Sequence, residues 1–308
     1  MRTTLNKIVL LTSILTFVVI VLGAYTRLKD AGLGCPDWPG CYGHMIAPEA
    51  DVAARIEMVH RYVAGTLGLL ILYIFIRTRN ILTGVLLGLV VFQALLGMWT
   101  VTLRLLPVVV MGHLLGGFTL LAALWLHYLR LTFVNIHLTI TIKKSIKILA
   151  ILAIAVLAIQ IALGGWTSAN YAALVCADFP TCQGQFWPTM DWSDAFNFRN
   201  VGIFDSPGTP LENAARVTIQ MAHRIGALLS FLLISGLCYQ LWRSNDRILT
   251  MFAKIVFGLL LLQITLGITN VLLGLPLFVS LAHSFVAAIL LLSLISILYV
   301  LNAKKQYR

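Results

Sequence analysis

Four histidines stand singly within apolar stretches of the sequence: His60, His113, His223 and His283. Each follows a β-branched residue by four positions and precedes a small residue by four positions. Residues four apart share one face of a helix, so each imidazole lies one turn from a position with almost no side chain. That pattern suits a flat iron macrocycle whose metal binds the imidazole. Hydrogen-bonded packing is the alternative for any one histidine, but four alike favour iron ligation.

Composition places the chain in a membrane. Of its 308 residues, 60% are hydrophobic and only 11% are charged, whereas soluble chains carry about 25% charged residues. Apolar runs of about 20 residues predict membrane-spanning helices. Eight runs are long enough: 8–26, 56–76, 80–102, 108–130, 146–168, 217–241, 250–272 and 277–301. We therefore expect an all-α membrane protein, and the net charge of +11 indicates topology rather than nucleic-acid binding.

Lysine and arginine are concentrated in the two terminal segments and in one set of connections, which the positive-inside rule assigns to the cytoplasm. We expect a multi-pass protein of the cell inner membrane with both termini cytoplasmic. The two long connections, residues 27–55 and 169–216, then face outward. Each of the four histidines lies roughly 7–10 Å below the outer start of its helix, at 1.5 Å per residue. The histidine sites are therefore expected toward the outer side.

The sequence also repeats itself. The segment from Gly23 to Cys41 matches the segment from Gly164 to Cys182 at a constant offset of 141 residues. The later histidines match at larger offsets, because an insertion lies around residues 185–213. The pattern predicts two tandem four-helix bundles, residues 1–135 and 136–308. Since four is even, both halves have the same orientation and are related by a pseudo-two-fold axis along the membrane normal.

Pairing within each half joins His60 with His113 and His223 with His283, and two imidazoles on opposite faces give a six-coordinate haem. The halves differ one turn before the first histidine of each pair, where Glu57 in one half corresponds to Gln220 in the other. A carboxylate beside a reacting haem could act as a general base or stabilise charge. The alternative is a solvated residue near a helix start, favoured by the helix dipole.

Two pairs of cysteines, Cys35 with Cys41 and Cys176 with Cys182, lie in the outward connections. An oxidising compartment favours a disulfide within each pair, and metal binding is the weaker alternative because neither loop supplies four suitable ligands.

Two arginines, Arg61 and Arg224, directly follow the first histidine of each half. They could pair with the propionates of a haem, or they could simply reach the outer membrane interface.

Together these residues resemble the haem A synthase family, over the whole chain. The motifs that carry the resemblance are GLGCPDWPGC (32–41), EMVHR (57–61), MGHLLGG (111–117), QMAHRIGA (220–227) and LAHSFVAA (281–288). The resemblance implies oxidation of the C8 methyl group of haem O to the formyl group of haem A. It implies that His60 and His113 bracket the substrate haem O beside a catalytic Glu57. It also implies that His223 and His283 bind a haem b cofactor that passes electrons.

The resemblance further implies partners in cytochrome oxidase biogenesis, with haem O synthase (protohaem farnesyltransferase) as the source of substrate. Besides membrane lipid, an electron donor is required, a homo-oligomer is compatible with the sequence, and the 185–213 insertion is a candidate partner-binding segment. The main alternative function is a di-haem cytochrome b that transfers electrons without modifying its haem. A transporter with tandem repeats is a further alternative, but the sequence shows no clear broken helices or charged midplane residues.

Overall fold

A computed structural model describes residues 2–133, 143–197 and 211–302. Within those ranges the regular structure is entirely helical, and eight long helices are accompanied by one short helix, α6. The helices are α1 Arg2–Leu28, α2 Val52–Thr78, α3 Ile81–Thr102, α4 Pro107–Thr132, α5 Lys144–Ala169, α6 Trp192–Ala195, α7 Asn213–Trp242, α8 Arg247–Leu272 and α9 Leu277–Leu301. The eight long helices are long and apolar enough to cross a membrane. The predicted all-α, multi-pass membrane protein is therefore confirmed.

The helices begin where the sequence provides capping groups. Asp51 accepts a hydrogen bond from the backbone N–H of Ala54 at the start of α2 (2.9 Å), and Asn80 forms a capping box with Thr83 at the start of α3. These side chains satisfy backbone donors that the first turn leaves unpaired. Pro107 occupies the first turn of α4, where its missing N–H costs nothing.

The long helices form two groups of four. In the first half, α1 contacts α2, α2 contacts α3, α3 contacts α4 and α4 returns to α1; in the second half, α5, α7, α8 and α9 close a ring in the same order. The halves meet where α4 contacts α5, α1 contacts α9, and α4 contacts α9. Exchanging the two halves leaves this set of contacts unchanged. The pattern supports tandem bundles, while the axis and its direction relative to the membrane stay predictions.

The buried core lies around α9. In its most apolar window, 56% of the residues are buried, against at most 28% in any other spanning helix. The largest buried cluster joins α9 to α5, α7 and α8 and also takes in Phe118 and Leu121 of α4 and Ile20 of α1. This burial suits the apolar composition of α9, whereas the outer helices expose large hydrophobic side chains that suit lipid.

At the C-terminal ends of α1 and α5 the two halves are joined by Arg27. Its guanidinium donates to the backbone carbonyl of Ser168 and to the hydroxyl of Tyr171, both at 2.8 Å, and stacks 4.2 Å from the Tyr171 ring centroid. Arg27 also lies 3.5 Å from Asp30 of its own half. Ser168 is the residue that matches Arg27 at the repeat offset of 141. Equivalent positions therefore meet here, as expected beside a two-fold axis.

Candidate functional site

Each of the four histidines faces a glycine on the neighbouring helix of its own half. A methyl group at any of these glycines would stand in tight contact with the imidazole carbon Cε1. The pairs, with that distance, are Gly23–His60 (3.2 Å), Gly97–His113 (3.3 Å), Gly164–His223 (3.2 Å) and Gly267–His283 (3.1 Å). From the sequence, we predict small residues beside each histidine only on its own helix, four positions after it. The facing glycines were visible in the repeat, but which side chains they approach follows from helix packing.

The structure brings the histidines together in the expected pairs. His60 and His113 lie close enough for their charges to interact, and so do His223 and His283. All four rings are half-buried. Nδ1 of His60 is buried without a hydrogen-bond partner, whereas a histidine kept for packing normally has its buried polar atoms paired. Two facing imidazoles beside bare helix surfaces therefore fit a haem in each half.

Glu57 is buried rather than solvated. Its side chain is 4% exposed, accepts a hydrogen bond from the backbone N–H of Cys35 (2.9 Å) and forms an ion pair with Arg61. The alternative of a solvated carboxylate at a helix start is therefore wrong, because the outward loop folds over the start of α2 and covers it. The carboxylate thus lies between the disulfide loop and His60, one turn further along the helix.

The equivalent residue of the second half, Gln220, is also buried, at 3% exposure. Among the described residues its amide oxygen has no hydrogen-bond partner, and no backbone N–H of the second loop donates to it as that of Cys35 does to Glu57. The difference between the halves therefore extends beyond one residue: in the described structure, only the first half connects its loop to its histidine-bearing helix through a carboxylate.

The two arginines hold the outward loops. Arg61 donates to the backbone carbonyls of Asp37, Pro39 and Gly40. Arg224 donates in the same way to a set of carbonyls in the second loop: Cys176, Asp178, Pro180 and Thr181. Most of their N–H groups are thus engaged by protein. Contact of the two arginines with haem propionates stays a prediction. It would use the N–H groups that remain, such as Nε of Arg224, which has no partner among the described residues.

Each outward loop is closed by a disulfide and organised by one aspartate. Both predicted disulfides are present, Cys35–Cys41 and Cys176–Cys182. Asp178 accepts hydrogen bonds from the Thr181 hydroxyl and from the backbone N–H groups of Gln183 and Gly184. These donors lower the pKa of Asp178 to about 2.

Asp37 plays the same part in the first loop. It accepts from the backbone N–H groups of Tyr42 (2.6 Å) and Gly43 (2.7 Å), and these bonds, with that of Gly43 the largest, lower its pKa. Both loops therefore share the backbone hydrogen bonds to their aspartate, and they differ in the Thr181 hydroxyl bond of the second loop and in the bond of the first loop to Glu57.

The described part of the 185–213 insertion packs on its own half. The short helix α6 places Ala195 against Trp166, whose indole N–H donates to the Ala195 carbonyl (2.9 Å), and the cluster includes Ile219 of α7. Asp191 is held through its backbone N–H by the Thr218 hydroxyl (2.8 Å). Residues 198–210 lie outside the described structure, and a partner for this insertion stays a prediction.

Within the described residues, no cluster of three or more His, Cys, Asp or Glu side chains could hold a bare metal ion. Cys238 of α7 is a buried free thiol. The candidates for iron binding in this part of the chain are therefore the two histidine pairs, which are suited to supply axial ligands to a macrocycle rather than a complete ligand set.

Comparison with known proteins agrees with this site. The sequence model of a family described as cytochrome oxidase assembly protein, COX15-CtaA, matches residues 6–295. A haem A synthase of Shewanella oneidensis is 44% identical over 315 residues, which cover 94% of each chain. Haem A synthases of Halalkalibacterium halodurans, covering 96% of each chain, and of Neorickettsia sennetsu, covering 89% of this chain and 91% of the relative, are each 27% identical. The family match and the 44% identical relative both span nearly the whole chain, so the protein belongs to the COX15-CtaA family of cytochrome oxidase assembly proteins.

Proposed function

We propose that the protein is a haem A synthase, an oxidoreductase that converts the C8 methyl group of haem O to the formyl group of haem A. The observation that carries the proposal is the asymmetry between two otherwise matching histidine sites. One site has a buried carboxylate, Glu57, tied to a disulfide loop, and the other has an amide, Gln220, in its place. A protein that only passed electrons between two equivalent haems would have no use for that difference.

The first half is assigned to the substrate. His60 and His113 would hold the iron of haem O, and the facing glycines Gly23 and Gly97 leave room for the two imidazoles beside α1 and α3. Oxidising a methyl group to a formyl group removes four electrons from the carbon and adds one oxygen atom, so it takes either water with an electron acceptor or dioxygen with an electron donor. Positive charge develops at that carbon, and protons must leave. A preorganised carboxylate at Glu57 stabilises that charge or accepts a proton.

The second half is assigned to a haem b cofactor held by His223 and His283. When bound, this haem supplies one-electron transfer. The amide of Gln220 neither takes up nor releases a proton, so it does not couple that transfer to proton uptake. Arg61 and Arg224 keep the two outward loops folded over the histidine sites. In this arrangement the loops limit the access of water to both haem mouths.

The proposal also places the protein in a biosynthetic sequence. A haem O synthase (protohaem farnesyltransferase) would supply the substrate, and assembly of cytochrome oxidase would consume the product. Both termini are assigned to the cytoplasm and the haem sites to the outer side of the cell inner membrane. An electron donor completes the scheme.

Extraction of pigments from the purified protein tests the function. A haem A synthase should yield haem O, haem A or a hydroxylated intermediate together with haem b, identified by mass spectrometry. A di-haem electron-transfer cytochrome b should yield haem b alone. The second result, obtained from cells that also make haem O, would contradict the proposal.

A further inference from the structure

The two halves differ in what contacts the first histidine of each pair. On α5, Gln160 lies beside His223: its amide nitrogen is 3.1 Å from ring Nδ1 and donates to the His223 backbone carbonyl at 3.0 Å. At the repeat offset of 141, the residue equivalent to Gln160 is Val19. In that half, Nδ1 of His60 is buried with no hydrogen-bond partner. One imidazole is therefore oriented by a side chain, and its counterpart is not.

A glycine makes room for the Gln160 amide. A methyl group at Gly226, three residues after His223, would overlap the Gln160 side-chain oxygen. The residue equivalent to Gly226, at an offset of 163, is Val63. The two positions thus differ together between the halves, with a glutamine and a glycine in one and two valines in the other. The glutamine and the glycine that makes room for its amide are therefore both present in the second half and both absent from the equivalent positions of the first.

A glutamine over a glycine is not sufficient to orient a histidine. On α3, Gln93 lies over Gly116 of α4 so closely that a methyl group there would overlap its amide. Its amide nitrogen nevertheless has no partner, and its side chain does not hydrogen-bond to a histidine ring in the described structure. Gln93 is therefore a matched control: the same residue type in the same packing arrangement, without a side-chain hydrogen bond to an imidazole in the described structure.

We propose that Gln160 is a positioning residue which orients His223 through Nδ1 and so makes the second half retain its haem. The inference rests on the proposed function, in which that half holds a permanent haem b. An imidazole that binds iron through Nε2 carries its proton on Nδ1, and a partner at Nδ1 fixes the ring and strengthens the ligand. The Gln160 oxygen, which has no partner among the described residues, accepts this proton once the amide turns over, and the bond that the amide nitrogen donates to the His223 carbonyl is then given up.

In the first half, the lack of a hydrogen-bond partner at Nδ1 of His60 favours release of the haem. Its haem is a substrate that enters as haem O and leaves as haem A, so slow release would limit turnover. Val19 and Val63, at the positions equivalent to Gln160 and Gly226, carry no polar side-chain atom, and Nδ1 of His60 has no hydrogen-bond partner among the described residues. Retention in one half and release in the other then depend on Gln160 with Gly226 in the second half and on Val19 with Val63 in the first.

The test measures retention of haem b rather than catalysis. Detergent-solubilised protein loaded with haem b is mixed with excess apomyoglobin, and the transfer rate is followed by absorbance. The variant Q160V/G226V gives the second half the valine pair of the first half, so it removes the contact without leaving a cavity. We expect transfer about 10–100-fold faster than in the parent, the usual effect of losing such a partner. Q93V should transfer haem b at the parent rate.

A conservative variant separates positioning from packing. In Q160E a carboxylate of the same size accepts the Nδ1 proton. Haem b should therefore leave this variant as slowly as it leaves the parent, and its reduction potential should fall below that of the parent. An unchanged transfer rate in Q160V/G226V, or an unchanged potential in Q160E, would overturn the inference. Conversion of haem O is assayed on the same parent preparation. Failure of that conversion, with the retention differences intact, would instead reject the proposed function.

Discussion

At the scale of single residues, the two halves diverge most clearly at Glu57 and Gln220. Both side chains are buried one turn before a histidine, yet only Glu57 is bonded to a loop N–H and to an arginine. Burying a carboxylate is costly unless it is paired. The fold accepts an amide at the equivalent position of the other half. A carboxylate beside His60 is therefore best explained by a role in the proposed reaction.

Replacing Glu57 by glutamine should abolish most conversion of haem O while leaving the protein folded. The amide is nearly the same size, and Gln220 shows that the fold accommodates it. Loss of one preorganised charge typically lowers a rate by about 10²–10³. Haem extracts from cells expressing Glu57→Gln should contain haem b with accumulated haem O or an alcohol intermediate. Haem A formation at the parental rate would show that Glu57 has no catalytic role.

Removing either histidine of the second half should eliminate haem b. His223→Ala or His283→Ala deletes one of the two proposed axial ligands of haem b, whereas the helices of the first half close around their own pair. The α-band of haem b should vanish from reduced spectra, with weak binding of haem O retained. His60→Ala serves as the control, since it should leave the haem b spectrum in place. A full haem b content in both second-half variants would contradict the ligand assignment.

At the scale of elements, the outward loops are preformed structures rather than loose connections. Each is closed by a disulfide, organised by an aspartate and held against a haem helix by an arginine. The loops can therefore keep a fixed position over the histidine sites. Their order depends on aspartates that stay ionised.

Asp178→Asn should weaken the second loop in a pH-dependent way. The folded protein lowers the pKa of Asp178 from 3.8 to about 2, so the stabilisation is complete above about pH 4 and is lost as the pH falls toward 2. Thermal unfolding in detergent should show the variant a few degrees less stable than the parent at pH 7, with the difference shrinking below pH 4. Glu49→Gln, at an exposed loop position, is the control. A difference that stays constant down to pH 2 would refute this explanation.

At the scale of the whole molecule, two rings of four helices meet around α9 and are joined at one end by Arg27. The ends that carry Arg27 and the disulfide loops are assigned to the outside of the membrane because lysine and arginine are concentrated at the opposite ends.

Cysteine accessibility tests that orientation. In intact cells, a membrane-impermeant thiol reagent should label Lys29→Cys, at the outer end of α1, and should not label Asn245→Cys, between α7 and α8; both positions are exposed. The native cysteines give little background, since four form disulfides and Cys238 is buried. Permeabilised cells should label both variants. The reverse pattern in intact cells would invert the assigned topology.

The sequence by itself determined the membrane class, the eight spans, the tandem repeat, the four histidines and the contrast between Glu57 and Gln220. The lengths of the apolar runs, the distribution of lysine and arginine and the internal repeat can be read from the linear sequence, without knowledge of how the helices pack. The disulfide pairs were predictable for the same reason, because only six positions separate each pair.

Only the tertiary structure decided which surfaces meet. The glycines that face the imidazoles, the bond between Cys35 and Glu57, and the contact of Gln160 with His223 all join different segments of the chain. Such contacts depend on the rotation and crossing of packed helices, which a linear pattern does not specify. The same holds for Arg61: its place beside a histidine was visible in the sequence, but its hold on the loop carbonyls appeared only once the loop was folded over α2.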